Sequence, residues 1–268
     1  MTLYMISWLT LLFQGVQFLN MPMVEEKTKS YTHLIWSDEF NQDGAPTLEK
    51  WSYELGDGCP NLCGWGNQES QFYTNRPDNV RVRNGFLELT AKREVYQGAN
   101  FTSARIKTQG KFEFTYGRVE VRAKLPQGKG VWPAIWMLGA NINQVGWPSC
   151  GEIDIMEYVG NQPDVIHGSI HNDSSHGNTV NTRKLQTTNL TQEFHIYEVI
   201  WQEDKIVFQM DGNQFYTYQP GNKSPRNWPF DKDQYLLINL AMGGGFGGAI
   251  DPTFESGTLQ VDYIRVYQ

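Results

Sequence analysis

The segment Gly117–Leu125 alternates without a break. Val119, Val121, Ala123 and Leu125 take every second position, and Arg118, Glu120, Arg122 and Lys124 take the places between. A helix would spread this pattern around its axis. A strand sorts it into one apolar and one charged face, as a half-buried antiparallel strand requires. The same signature recurs along the chain. Asn84-Gly85 leads into Phe86-Leu87-Glu88-Leu89-Thr90, and Asp211-Gly212 joins Lys205–Met210 to Gln214–Tyr218 as a hairpin with a type I′ turn. Val261–Tyr267 alternates again at the C-terminus, while long runs of helical period are scarce. Many short strands between Gly, Pro and Asn turns define an all-β sandwich or barrel. Two curved antiparallel sheets would leave a concave cleft long enough for a polymer. No repeat or low-complexity stretch divides residues 31–268, which read as one domain.

The charge balance narrows the partners. Lys and Arg number 22 against 29 Asp and Glu, a formal net charge of −7, and no basic run marks a nucleic-acid surface. A neutral substrate needs no charged steering. Nine Trp are more than a core of this size requires, and they serve either as packed core or as flat platforms for sugar rings. Residues 1–20 are apolar around Trp8–Phe13 and resemble a signal peptide, although no Lys or Arg precedes them and no small-residue cleavage site follows. Gln14 and Gln17 interrupt this stretch, which argues against a membrane span, and the polar residues 21–30 read as a linker. A secreted monomer is the expectation. Cys59 and Cys63 can close a small loop disulfide or stay reduced, and Cys150 is left over. Asn100, Asn172, Asn189 and Asn222 open glycosylation sequons.

The chemistry concentrates in Gly151-Glu152-Ile153-Asp154-Ile155-Met156-Glu157-Tyr158. Read as a strand, it buries Ile153 and Ile155 and presents Glu152 and Asp154 on the other face. Strict alternation would then drive Glu157 into the core, where an unpaired carboxylate is costly. One extra residue near Met156, a β-bulge, restores the phase and returns Glu157 to the acidic face. Four strand steps then separate Glu152 from Glu157, placing their Cα atoms ~13 Å apart. Side chains leaning together suit glycoside hydrolysis, which uses carboxyl pairs ~5–5.5 Å apart for retention and ~6.5–9.5 Å for inversion. Neighbouring acids also split their titrations, so one can stay ionised while another stays protonated. A solvated acidic strand face and a calcium loop are the competing readings. The packed isoleucines disfavour the calcium loop.

Glu152-Ile-Asp-Ile-Met-Glu157 resembles the active-site signature of glycoside hydrolase family 16, and the inserted Met resembles its laminarinase branch. Further matches follow in order: Trp36–Phe40, Trp65–Glu69, Gln71–Thr74, Thr102–Thr108, Tyr116–Glu120, Gly130–Leu138, His167–His171 and Asp262–Tyr267. The resemblance implies a β-jelly roll and a retaining endo-β-1,3-glucanase, with mixed-linkage glucan as a second substrate. Glu152 would be the nucleophile, Glu157 the acid/base, and Asp154 would hold and tune them. Asn67, Arg105, Trp132, Trp136 and His171 would contact the polysaccharide, although Trp132 and Trp136 could instead be core and Arg105 a structural cation. Catalysis would need no cofactor, and Glu39, Gly85 and Asp262 resemble the family's structural calcium site. A galactan-directed hydrolase and a non-catalytic glucan-recognition protein are the alternatives. Gly243–Gly248 lacks the Lys-Ser/Thr and helix of a phosphate loop and reads as a turn that lets substrate approach backbone.

Overall fold

The computed structural model describes residues 30–268, so the apolar segment 1–20 and nearly all of the linker lie outside the described residues. The alternating runs become strands. Asn84 and Gly85 have φ of 52° and 80°, and Asp211 and Gly212 have 50° and 75°. Positive φ at both central positions is what a type I′ turn demands.

Numbered along the chain, the larger sheet holds β1 (Leu34–Asp38), β3 (Gln71–Tyr73), β4 (Val80–Arg83), β5 (Phe86–Tyr96), β6 (Ala99–Ser103), β8 (Gly117–Lys124), β13 (His195–Trp201), β14 (Ile206–Met210), β15 (Asn213–Tyr218) and β17 (Ser256–Tyr267). The smaller sheet holds β2 (Ser52–Tyr53), β7 (Arg105–Lys107), β9 (Val131–Gly139), β10 (Glu152–Tyr158), β11 (Val165–His171), β12 (Thr182–Gln186) and β16 (Gln234–Met242), in the order β12-β11-β10-β9-β16-β7-β2. Pairing is antiparallel except between β3 and β6. The chain keeps its direction from β3 into β4, and both β4 and β6 run against β5, so β3 and β6 must run together.

The two sheets face each other across the main core. Val119, Val121 and Ala123 of β8 meet Ile153, Ile155 and Met156 of β10 in one buried cluster. Trp51 and Trp201 lie fully within it. Their indole N–H groups are satisfied by Asp38 Oδ2 at 2.8 Å and by the Phe230 carbonyl at 3.0 Å, which removes the cost of burying a polar atom. Of the tryptophans in the described region, Trp51, Trp201 and Trp228 lie in the main core and Trp36 packs against it. Trp65, Trp132, Trp136 and Trp147 lie outside that core, Trp136 packing against a minor cluster on the other side of the smaller sheet.

On the other side of the smaller sheet, Leu138, Cys150, Tyr235 and Leu237 form a minor cluster. It seats the segment 140–151 over one end of that face. Cys59 and Cys63 are joined as a disulfide, and Cys150 is free and buried. The Asn172 sequon is corrected: its side chain is fully buried and hydrogen-bonds Tyr218 Oη and the Asn227 carbonyl, so it cannot carry a glycan. No helix among the described residues is long and apolar enough to cross a membrane.

Candidate active site

The bulge expected at Met156 is present and works against both neighbours. On the β9 side, Asp154 pairs with Trp136 and Met156 with Ile135, so Ile155 is skipped. On the β11 side, Asp154 pairs with Ser169 and Glu157 with His167, so Ile155 and Met156 together oppose Gly168. Ile153, Ile155 and Met156 all point inward at 1% exposure or less. Glu152, Asp154 and Glu157 consequently share the open face. Opposite them stand His171, Ser169 and His167 on β11, and Leu138, Trp136 and Ala134 on β9.

No Lys or Arg forms an ion pair with these acids among the described residues. Burial pushes Glu152 up to about 8, with repulsion from Asp154 adding to it; burial and Asp154 do the same to Glu157, and burial alone raises Asp154. Three like charges in one pocket lose their protons as a coupled set. Polar neighbours limit the rise and fix the geometry. The Trp147 indole donates to Glu152 Oε2 at 3.0 Å, and the Trp132 indole to Glu157 Oε1 at 3.1 Å. His171 Nε2 lies 3.0 Å from Asp154 Oδ2 and 3.7 Å from Glu152 Oε1. His167 is buried, and desolvation followed by the Lys184 charge holds it down at about 4, so it is neutral near pH 7.

One flank of the acids is charge-paired. Arg105 bonds Glu54 and lies between the rings of Trp65 and Trp136, 4.6 and 4.8 Å from their centres. Lys107 reaches the same Glu54 at 2.7 Å. Burial alone would raise Glu54, but the Arg105 and Lys107 charges hold it below the usual carboxylate range. A second chain of contacts runs from Trp136 Nε1 to Asn239 at 2.8 Å, from Asn239 to Tyr73 Oη at 3.1 Å, and from Tyr73 to Glu69 at 3.2 Å. Asn67 donates to Glu69 at 3.1 Å. Arg105, Trp136 and Asn67 thus belong to one connected surface beside the acids. Arg105 is at once a paired cation and an aromatic-stacked platform.

Trp132 and Trp136 are half-buried on the cleft face, not in the core. The Gly-rich turn Gly243–Gly248 brings Phe246 against Trp132 at 5.4 Å and His167 at 4.9 Å, and Gly245 N–H donates to the Asn67 carbonyl. The expected calcium residues are differently engaged. Glu39 gives both carboxylate oxygens to Arg265 at 2.9 and 2.8 Å. Asp262 sits in a bulge of β17 with its carboxylate on Arg122. With both charges answered by arginines, the set lacks the free carboxylates that calcium favours.

Trp147, Ser169, Trp65 and Phe246 complete the site without having been singled out from sequence. Trp65 and Ser169 lie inside the matched stretches Trp65–Glu69 and His167–His171, so their signal was present but unresolved. Trp147 arrives on a loop and shows no period.

A sandwich whose open face carries a row of acids flanked by indoles defines a carbohydrate hydrolase working by carboxyl chemistry. Comparison fixes the lineage. The pattern of "Glycosyl hydrolases family 16" matches residues 67–265. The chain is 42% identical over 248 residues to a β-glucanase of Rhodothermus marinus, covering 88% of this chain and 85% of that protein. It is 40% identical over 261 residues to glucan endo-1,3-β-glucosidase A1 of Niallia circulans, covering 88% of this chain and 38% of that one. The crystal structure of a laminarinase from Flavobacterium sp. UMI-01 superposes with a TM-score of 0.83 at 50% identity, covering 88% of this chain and all of that one. The chain belongs to glycosyl hydrolase family 16 and is a glycoside hydrolase.

Proposed function

We propose that this protein cleaves internal β-1,3-glucosidic bonds of laminarin-type glucan with retention of configuration. The observation that carries the reading is the bulge-aligned row of Glu152, Asp154 and Glu157 on an open face lined by indoles. The relatives named for β-glucan and endo-1,3-β-glucan hydrolysis supply the linkage.

The family resemblance implies a double displacement, and the aligned carboxyl groups supply the two residues that it uses. Glu152 attacks the anomeric carbon while Glu157 gives its proton to the departing glycosidic oxygen. Water then releases the glycosyl-enzyme with Glu157 as base. Burial pushes Glu157 up to about 8, which keeps a proton on it near neutral pH as an acid requires. Glu152 rises equally and His171 opposes the rise at both, so the choice of Glu152 as nucleophile and Glu157 as acid rests on the family resemblance. Asn67, Arg105, Trp132 and Trp136 would hold sugar rings along the charge-paired flank. Both acids are in place, which disfavours a recognition-only protein.

Release of reducing ends from laminarin, with the β-anomer appearing first by NMR, is the expected result. First appearance of the α-anomer would overturn retention. Hydrolysis of agarose in place of laminarin would overturn the linkage.

Secretion as a monomer is part of the proposal, and the Cys59–Cys63 disulfide supports an oxidising compartment. A stabilising calcium at Glu39, Gly85 and Asp262 would have to use carbonyl oxygens or take an acid from its arginine. A Tm raised by CaCl2 after EDTA treatment supports that ion, and an unchanged Tm removes it.

A further inference from the structure

Donor and acceptor chemistry around Glu157 assigns roles to two hydroxyls that the mechanism above does not use. An acid/base carboxyl holds a proton before the first step, loses it, and regains it in the second. A neighbour that only donates fits both states best at the oxygen that does not carry the proton, because the carbonyl oxygen is the stronger acceptor. Trp132 Nε1 is such a neighbour, donating to Glu157 Oε1 at 3.1 Å. The mobile proton therefore belongs to Oε2. The partner of Oε2 is the Ser169 hydroxyl at 3.3 Å. Ser169 Oγ in turn lies 2.9 Å from Thr182 Oγ1, where either oxygen can donate.

A hydroxyl both donates and accepts, and it reorients by rotation. We propose that Ser169 and Thr182 form a rotatable hydroxyl pair that positions the proton-bearing oxygen of Glu157 and follows its change of charge. When Glu157 is ionised, Ser169 donates to Oε2. When Oε2 is protonated, Ser169 turns its hydrogen to Thr182 and offers a lone pair to Oε2–H. Each hydroxyl keeps its own proton. The only proton that changes owner passes between Oε2 and the glycosidic oxygen, or returns from the attacking water.

The fold places the pair for this task. The bulge pairs Asp154 with Ser169 and Glu157 with His167, so Ser169 stands diagonally across from Glu157. The β11–β12 ladder sets Thr182 directly opposite Ser169. Ser169 is 4% exposed, so water cannot readily replace its hydroxyl. The titratable groups facing Glu157 are Asp154 and Glu152 on its own strand, His167 and His171 on β11, and Lys184 on β12 opposite His167. From β9 come Trp132 and Trp136, and from the Gly-rich turn comes Phe246, none of which titrates. Among the described residues no other hydroxyl bonds Glu157. Ser169 and Thr182 are positioning residues, acting through Glu157.

The inference rests on Glu157 being the acid/base, so its test includes that assignment. Kinetics would be followed on laminarin and on an aryl β-laminaribioside with a 2,4-dinitrophenyl leaving group, which departs without a proton. Glu157→Ala is expected to abolish kcat/KM on laminarin while sparing it on the activated substrate. Ser169→Ala is expected to lower kcat/KM on laminarin roughly tenfold, a small share of the ~10²–10⁴ that general acid catalysis supplies, and to leave the activated substrate nearly unchanged. Because the lost donor favoured the ionised form, the alkaline limb of the laminarin profile should move to higher pH. Ser169→Thr should restore both rate and limb. Thr182→Val, at a half-exposed position, should shift the limb in the same direction by less. Equal losses on both substrates for Glu157→Ala would overturn the acid/base reading, and this inference with it. A normal split for Glu157→Ala with an unmoved alkaline limb in Ser169→Ala and Thr182→Val would overturn this inference alone.

Discussion

The outward faces of the two sheets treat acidic residues in opposite ways. On the larger sheet each acid meets an arginine: Glu39 with Arg265, Glu88 with Arg81, Glu198 with Arg118, Asp262 with Arg122. Arg118 and Arg265 also cover the rings of Tyr267 and Tyr263 at 4.1 and 3.8 Å. On the smaller sheet Glu152, Asp154 and Glu157 stand in a row with no Lys or Arg paired to them, although Arg105 and Lys107 on the same sheet converge on Glu54. Cations were available to this sheet and are not spent on the row. Paired acids hold strands together. Burial without a paired Lys or Arg pushes the titration of the row upward as a coupled set, which supplies the held proton that a proton donor needs. The difference separates a face built for cohesion from one that gives up cohesion for reactivity.

Mutations can break this contrast at each end. The largest effect is expected from Glu152→Gln, which removes the nucleophile: kcat on laminarin should fall on the order of 10⁴-fold or more, while laminarin affinity measured by calorimetry persists. Retained turnover would place the nucleophile elsewhere. Next is Arg105→Ala. It strips Glu54 of one partner and two indoles of their shared cation, and should destabilise the fold by about 3 kcal/mol and raise KM more than it lowers kcat. A normal Tm with raised KM would make Arg105 a binding residue only.

Asp154→Asn should act with the opposite sign on stability. Burial raises the folded-state pKa of Asp154 to about 8, so between the usual carboxylate range and that value the folded protein holds a proton that the unfolded chain releases. Stability is therefore full below that window and is lost as pH rises through it. The variant should melt close to wild type near pH 4 and about 2–4 °C higher near pH 8 for each kcal/mol relieved. A difference independent of pH would mean that Asp154 is not strained by its charge. The smallest effect is expected from Arg118→Ala on the larger sheet. That partly exposed pair should cost at most about 1 kcal/mol and leave activity on laminarin intact.

The contrast also explains what could be read from the chain alone. Period-two alternation is local, so β8, β14, β15 and β17 were legible, as was the phase break that demands a bulge. The acids were legible because a charge out of phase in an apolar strand has to be accounted for. The partners of those acids were less so. Beside them, Glu54, just past β2, meets Arg105 across 51 positions of chain, and Trp147 meets Glu152 through a loop that the cluster of Leu138, Cys150, Tyr235 and Leu237 folds back. Neither long-range pairing nor an irregular loop leaves a periodic trace. For the same reason the arginine partners of Glu39 and Asp262, Arg265 and Arg122, could not be read from the chain.

The bulge at Ile155–Met156 has one more consequence. Two residues there take the place of one against both neighbours, so β9 and β11 keep the alignment that a strand one residue shorter would also impose. Length at the centre of the cleft is thus uncoupled from the frame around it. A chain lacking Met156 would still read Glu-Ile-Asp-Ile-Glu, with its three acids at every second position and still facing the same way. The most chemically demanding stretch of the protein is also one where the architecture can absorb an insertion or a deletion, with the reactive groups still facing the same way and the scaffold around them unchanged.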